Sequence, residues 1–159
     1  MSNPTNARVR TVSQDAPLVN YGALEGSVGF LLRCAQLAVF SELVDAFAPL
    51  DLRPAQFSAL ALIDANPNLA QSHLCAALNV QRANFVAMLD ELESRGLTTR
   101  RASTQDRRVN TLALTLEGRR VLRRAVTLHT AHERRLLKRL GSSGRNQFAL
   151  LLAKLVASN

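Results

Sequence analysis

"SHLCAALNVQRANFVAMLDELESRGL", residues 72–97, is the stretch whose reading decides the fold. Two helices joined by a tight turn need a small residue where they cross. They also need a residue able to take positive φ four positions on, and an apolar residue six further that locks the second helix onto the first. Cys75, Asn79 and Phe85 have that spacing, and Leu74, Leu78, Val80, Leu89 and Leu92 supply the apolar surroundings. Asn79 tolerates the left-handed conformation of a tight turn. Asn68 with Gln71 three residues later resembles a capping box and predicts a short helix ending at Leu78. A second helix is predicted from about Gln81 to Arg95, closed by Gly96.

Around that second helix, Phe85, Leu89 and Leu92 face inward, while Ala83 and Ala87 face outward, flanked by Arg82, Asn84 and Val86. Alanines let a helix approach a partner closely. Asn84 can pair bidentately with adenine, Arg82 can reach guanine or phosphate, and Val86 can touch a thymine methyl. Asp90, Glu91 and Glu93 crowd the C-terminal half, so the N-terminal half is the one expected to enter a groove. Gln81 is a poor N-cap, a hint that something other than helix stability selects it. The competing reading is an ordinary solvated helix face.

Directly after Gly96 the apolar period changes from 3.6 to 2. "LTTRRA" (97–102), "STQDRR" (103–108) and "VNTLALT" (109–115) read as strand, polar tip and strand, a two-stranded hairpin. Arg100, Arg101, Arg107 and Arg108 gather on and beside the tip. Arg107 or Arg108 can reach a minor groove beside the major groove that the helix would occupy. Phosphate would repel Asp106, so its expected work is internal, holding an arginine in one geometry by a charge-assisted bond. The alternative is a solvated tip whose charges discourage edge pairing.

Residues 1–20 mix Ser, Asn, Thr, Pro and Arg without periodicity and read as a flexible tail. From Leu24 to Phe47 a helix is expected with two apolar stripes, one through Val28, Leu31, Leu32, Ala35 and Val39 and the other through Phe30, Leu37, Phe40, Val44 and Phe47. A helix that apolar is buried on more than one face, and a second subunit is the natural cover for the second stripe. Pro54 opens a helix through about Asp64, and "ANPN" breaks it. Thr115 is placed to cap a long helix from Leu116 to about Leu140, with Glu117 in its first turn. "GSSG" (141–144) ends that helix, and a last one runs from about Arg145 to Val156.

The chain of 159 residues is 47% hydrophobic and 20% charged, which suits a single globular domain. Its net charge of +8 and isoelectric point near 11.1, carried by 18 arginines among 20 basic residues, favour a polyanionic partner. No segment has the apolar length to span a bilayer and the start has no signal-peptide core, so no membrane partner and a cytoplasmic location are expected. Cys34 and Cys75 form no spaced disulfide framework. No Gly-rich phosphate loop, nucleophile elbow or pair of carboxylates in an apolar setting appears, so no catalytic residues and no enzyme are expected.

At this point the chain resembles a known family. "LDLRPAQFSALALI", "SHLCAALNVQRANFVAMLDELESRGL" and "DRRVNTLALTLEGRR" together are similar to the MarR (multiple antibiotic resistance regulator) family of winged helix-turn-helix repressors. The likeness runs from about residue 24 to the end. Its most specific piece is the Asp-Arg-Arg wing leading into Leu114, Thr115 and Gly118. Gln81 stands where a Ser is usual, and Arg53 where a Thr often caps the second helix.

The resemblance implies a mainly α fold with a small β-hairpin wing. It implies a homodimer built from the first and last helices, with two recognition helices on a pseudo-palindromic double-stranded DNA operator and wings in the flanking minor grooves. It also implies that Asp106 orients Arg108. The expected division is a tail (1–20), a dimerisation helix (21–48), a winged DNA-binding lobe (49–115) and C-terminal dimerisation helices (116–159). The DNA-contacting set is then Gln81, Arg82, Ala83, Asn84, Ala87, Arg100, Arg101, Arg107 and Arg108.

Members of this family commonly release DNA on binding a small phenolic or aromatic acid, and some use acyl-CoA thioesters. Tyr21, Phe30, Arg33, Phe57 and His73 are the residues expected to line such an effector site; Arg33 interrupts an apolar helix as an anion anchor would, the competing reading being an arginine that snorkels to the surface or pairs with an acid. The alternatives are a sequence-blind architectural DNA binder and a thiol-based redox regulator using Cys34. His129, His132 and Glu133 have a metal-compatible spacing, but a solvated face of the long helix is the expected account; no metal and no cofactor are expected.

Overall fold

The computed structural model describes residues 19–102, 110–141 and 144–157. Two compact units divide the chain between Ser41 and Glu42. In the first, the helix expected from Leu24 begins four residues later. A single 3-10 turn, Gly22–Leu24, is followed by Gly26 at φ +75°, and α1 starts at Val28, extending to Phe47 in the second unit. A left-handed glycine between turn and helix is what separates them.

The second unit carries the remaining elements: α2 (Pro54–Ala65), β1 (Leu69–Ala70), α3 (Gln71–Leu78), α4 (Arg82–Ser94), β2 (Thr98–Ala102), β3 (Asn110–Leu114), α5 (Leu116–Leu140) and α6 (Gly144–Ala157). Pro54 occupies the first turn of α2, where no backbone N–H is needed. Arg53 has no side-chain acceptor to cap that helix; instead Gln56 Oε1 accepts the Arg53 N–H at 2.9 Å.

The sheet has three strands in the order β1-β3-β2, all antiparallel. β2 and β3 are the two strands read from the sequence. β1 is an addition, pairing Leu69 with Leu112 and Ala70 with Thr111. It also corrects the capping box expected at Asn68. Asn68 sits at φ +61° in the turn before β1, and the residue that precedes α3 is Ala70, which has no side-chain cap. With Leu69 and Ala70 in the strand, α3 starts at Gln71 and Asn68 stands two residues before the N-cap position.

One core holds the second unit together. Phe47, Leu52, Leu60, Leu74, Phe85, Leu89, Leu92, Leu112 and Leu122 are buried in it, so the end of α1, both helices of the turn motif, the sheet and the first half of α5 share one interior. His132, expected on a solvated face of α5, is 1% exposed. It stands four residues after Leu128 and seven after Ala125, on the stripe that α5 turns inward.

The junction between helix and wing is closely bonded. At the end of α4, Leu97 N–H donates to Leu92 O and Gly96 N–H to Glu93 O, with Gly96 at φ +65°, the paired bonds of a Schellman stop. Thr115 then ties the same turn to α5. Its N–H donates to Leu97 O at 3.1 Å, its hydroxyl donates to Gly96 O at 2.6 Å, and its Oγ1 accepts from Gly118 N–H at 2.9 Å. Gly118 passes so near this turn that a Cβ there would lie 1.9 Å from Leu97 O. The Leu-Thr-x-x-Gly signature is therefore the chemistry of one joint.

Candidate nucleic-acid interface

α4 divides cleanly along its length. Phe85, Met88, Leu89 and Leu92 go into the core, and Gln81, Arg82, Ala83, Asn84, Val86 and Ala87 are all exposed. Asn79 makes the turn before it at φ +49°, and Cys75 fills the crossing with its Sγ 3.7 Å from Val80 O. The chain spacing first read from residues 72–97 thus holds α4 against α3 with its N-terminal half outward.

The three acids of α4 are drawn off toward arginines from elsewhere. Arg53 pairs with Glu91, and Arg100 pairs with Asp90 and, at 3.4 Å, with Glu93. Glu93 also accepts the Arg100 backbone N–H at 3.2 Å. Arg100 is thereby engaged with the C-terminal half of α4, whereas Arg101, next along β2, is exposed. Arg82 has no carboxylate partner among the described residues, so the exposed N-terminal half is net positive.

Beside Arg82 lies a groove of about 560 Å³ lined in part by Gln71, Ser72, Asn79, Val86 and Asn110. α3 and α4 both open onto it, and neither has a side-chain bond at its N-cap, Ala70 and Gln81 respectively. Uncapped N–H groups at a helix start favour an anion. Gln71, Ser72 and Asn110 are lining residues that the sequence reading missed; for Gln71 and Ser72 the available signal was two polar side chains in the first turn of α3, and for Asn110 there was none. Asp106, Arg107 and Arg108 lie outside the described residues.

The residues expected to line an effector site fall in both units. In the first, the rings of Tyr21 and Phe30 lie 5.5 Å apart, Arg33 is exposed and Cys34 is half-buried. In the second, Phe57 packs on Phe47 at 5.0 Å and stacks on His129 at 5.0 Å, and His73 is exposed on α3. His129, expected on a solvated face of α5, has an aromatic partner in Phe57.

Near it, Glu42 receives two bonds from Arg139, at 2.7 and 2.9 Å, and lies 3.8 Å from His132 Nε2. Arg139 holds the Glu42 carboxyl below its usual range, chiefly through these hydrogen bonds, and Glu42 in turn raises Arg139.

A two-helix reading motif backed by a three-stranded wing sheet defines a winged helix-turn-helix protein. The MarR family matches residues 52–109. A Thauera aromatica protein assigned to regulation of the hcr operon is 30% identical over 149 residues, covering 93% of this chain and 90% of that protein. Among solved structures, the repressor CouR bound to a 23-mer DNA duplex is similar with a TM-score of 0.82 at 45% identity, covering 87% of this chain and 98% of that one. CouR bound to p-coumaroyl-CoA gives 0.80 at 42%, covering 87% and 97%. The chain belongs to the MarR family and is a transcription regulator. No helix among the described residues is long and apolar enough to cross a membrane.

Proposed function

We propose that this regulator is a homodimeric repressor that reads a pseudo-palindromic operator and leaves it when a small aromatic effector binds. The observation that carries the reading is the polarity of α4. Its acids are paired away at one end, while Arg82, Ala83, Asn84 and Ala87 stand exposed at the other. In this reading Asn84 and Arg82 address base edges, Gln81 and Arg101 address the backbone, and Arg107 or Arg108, braced by Asp106, enters a flanking minor groove. Arg100 acts through its acid partners.

Dimerisation through residues 21–48 and 116–159 is supported by apolar side chains left exposed in the single chain: Leu37, Phe40 and Val44 on α1, and Leu150, Leu151 and Leu155 on α6. An apolar surface of that extent calls for a cover. The likeness to CouR, solved with p-coumaroyl-CoA, supports an aromatic acyl-CoA as the effector class. The stacked Phe57 and His129 are suited to receive its ring.

Competition tests the reading. A selected operator should outcompete random duplex by about three orders of magnitude or more at physiological salt; equal competition rejects it. Release should follow addition of p-coumaroyl-CoA and not of CoA or p-coumarate alone. Release by the free acid would move the effector to the carboxylate class.

A further inference from the structure

The positive charge of this chain is not where the reading helix is. α4 carries one arginine and three acids, whereas α5 carries eight basic residues against two acidic ones, which is six of the chain's eight net positive charges. At about 100° per residue, Arg119, Arg120, Arg123, Arg124, Arg134, Arg135 and Lys138 fall within one half of the helix circumference. All seven are exposed in the single chain, and none is among the apolar residues of α1 and α6 to which the proposed subunit contact is assigned. The opposite side of α5, through Gly118, Leu122, Ala125 and His132, is spent in the core.

Arg119 pairs with Asp64 and Arg120 with Glu117, but Arg123, Arg124, Arg134, Arg135 and Lys138 make no salt bridge among the described residues. We propose that this face of α5 is a second, sequence-independent DNA-binding surface, which holds the phosphate backbone of a duplex other than the one read by α4. The inference rests on the DNA-binding reading above.

Shape and charge together favour a duplex over other polyanions. From Arg119 to Arg139 the helix rises about 30 Å, the length of about nine base pairs at 3.4 Å each. Between the two arginine clusters stand Thr127, Thr130 and Ala131, short side chains that leave the strip shallow. Both threonine hydroxyls are turned back to their own helix, onto Arg123 O and Val126 O. A compact nucleotide would need an aromatic platform or a cavity, and this strip presents no aromatic side chain. A lipid surface would need a continuous apolar face beside the basic one; on α5 Leu122 and Ala125 are buried, and the exposed Leu116, Val126 and Leu140 stand apart from one another along the helix. Arginine rather than lysine suits phosphate, because its fork can bond two oxygens at once.

The test uses two 30-base-pair duplexes of unrelated, non-operator sequence, one labelled with a donor dye and the other with an acceptor. The full-length protein should bring them together and give energy transfer at about 50 mM salt. The variant carrying Arg123→Gln, Arg124→Gln, Arg134→Gln and Arg135→Gln keeps good helix formers on an exposed face. It should bind a single duplex and fail to bridge two. The salt slope of the bridging signal should fall by about three to four, at about 0.9 for each lost phosphate contact.

Bridging that persists in the variant would come from two reading heads and overturns the proposal. So does a wild-type protein that binds one duplex without bridging. Binding to phosphatidylserine vesicles that is lost in the variant, with no bridging in the wild type, would reassign the strip to lipid. Failure of the wild-type protein to bind any duplex would instead strike the DNA-binding reading itself.

Discussion

Gly118 has neither a positive φ nor a place in a turn, so its necessity comes from space alone. A methyl group 1.9 Å from Leu97 O must push α5 off the wing turn. Gly118→Ala should therefore cost about 2 kcal/mol or more, read by urea unfolding, with overpacking strain as the cause. Thr115→Ala leaves the room but removes the cap, and about 1 kcal/mol is the expected loss. If both variants unfold at the wild-type midpoint, the joint is not what holds the wing. At the same scale, Asn84→Ala should relax base preference at one position per half-site, with a loss of about 1–3 kcal/mol against the preferred base. Uniform weakening across sequences would instead make Asn84 a backbone contact. The cap at Thr115 and the stop at Gly96 were legible in the sequence because each is a local bond pattern. The contact of Gly118 with Leu97 was not, since Gly118 lies twenty-one positions further along the chain and only the folded sheet brings them together.

Among elements, α4 depends on its neighbours for its charge. Arg100→Ala should uncover Asp90 and Glu93 and weaken DNA binding by about 1 kcal/mol at low salt, with less effect at high salt. Adding Asp90→Asn and Glu93→Gln should restore the affinity; no recovery would mean that Arg100 touches DNA directly. The sequence displayed these acids but not their pairing, because Arg53 and Arg100 reach them from a loop and a strand. β1 was illegible for another reason, as two residues are too few to display a period of two. The burial of His132 was legible in principle, since its spacing from Ala125 and Leu128 continues the apolar stripe, but its polar type argued the other way.

The tether between α1 and α5 has its own pH signature. Arg139 depresses Glu42 in the folded protein, so the folded state binds fewer protons there than the unfolded chain does. The stabilisation is present above the ordinary glutamate range and fades as pH falls through the depressed value. Glu42→Gln should thus lower the melting temperature at neutral pH and converge with wild type in acid. A gap that stays constant with pH would remove ionisation from that contact.

At the scale of the whole molecule, the exposed apolar residues of α6 and the compact core of the second unit make separable claims. Leu151→Glu combined with Leu155→Glu should give a monomer by light scattering while the cooperative unfolding of the winged lobe remains. A dimer that survives both changes would place the subunit contact elsewhere. The joint at Thr115 bears on how such an assembly could respond to an effector. The turn that stops the reading helix, Gly96 and Leu97, is the turn to which Thr115 bonds at the root of the wing and the start of α5, so helix and wing are geared together. An effector therefore has no cheap way to retract one and leave the other in place. In the proposed dimer, the adjustable quantity is the spacing of the two lobes, and induction should be felt as a mismatch of half-site phase along the duplex.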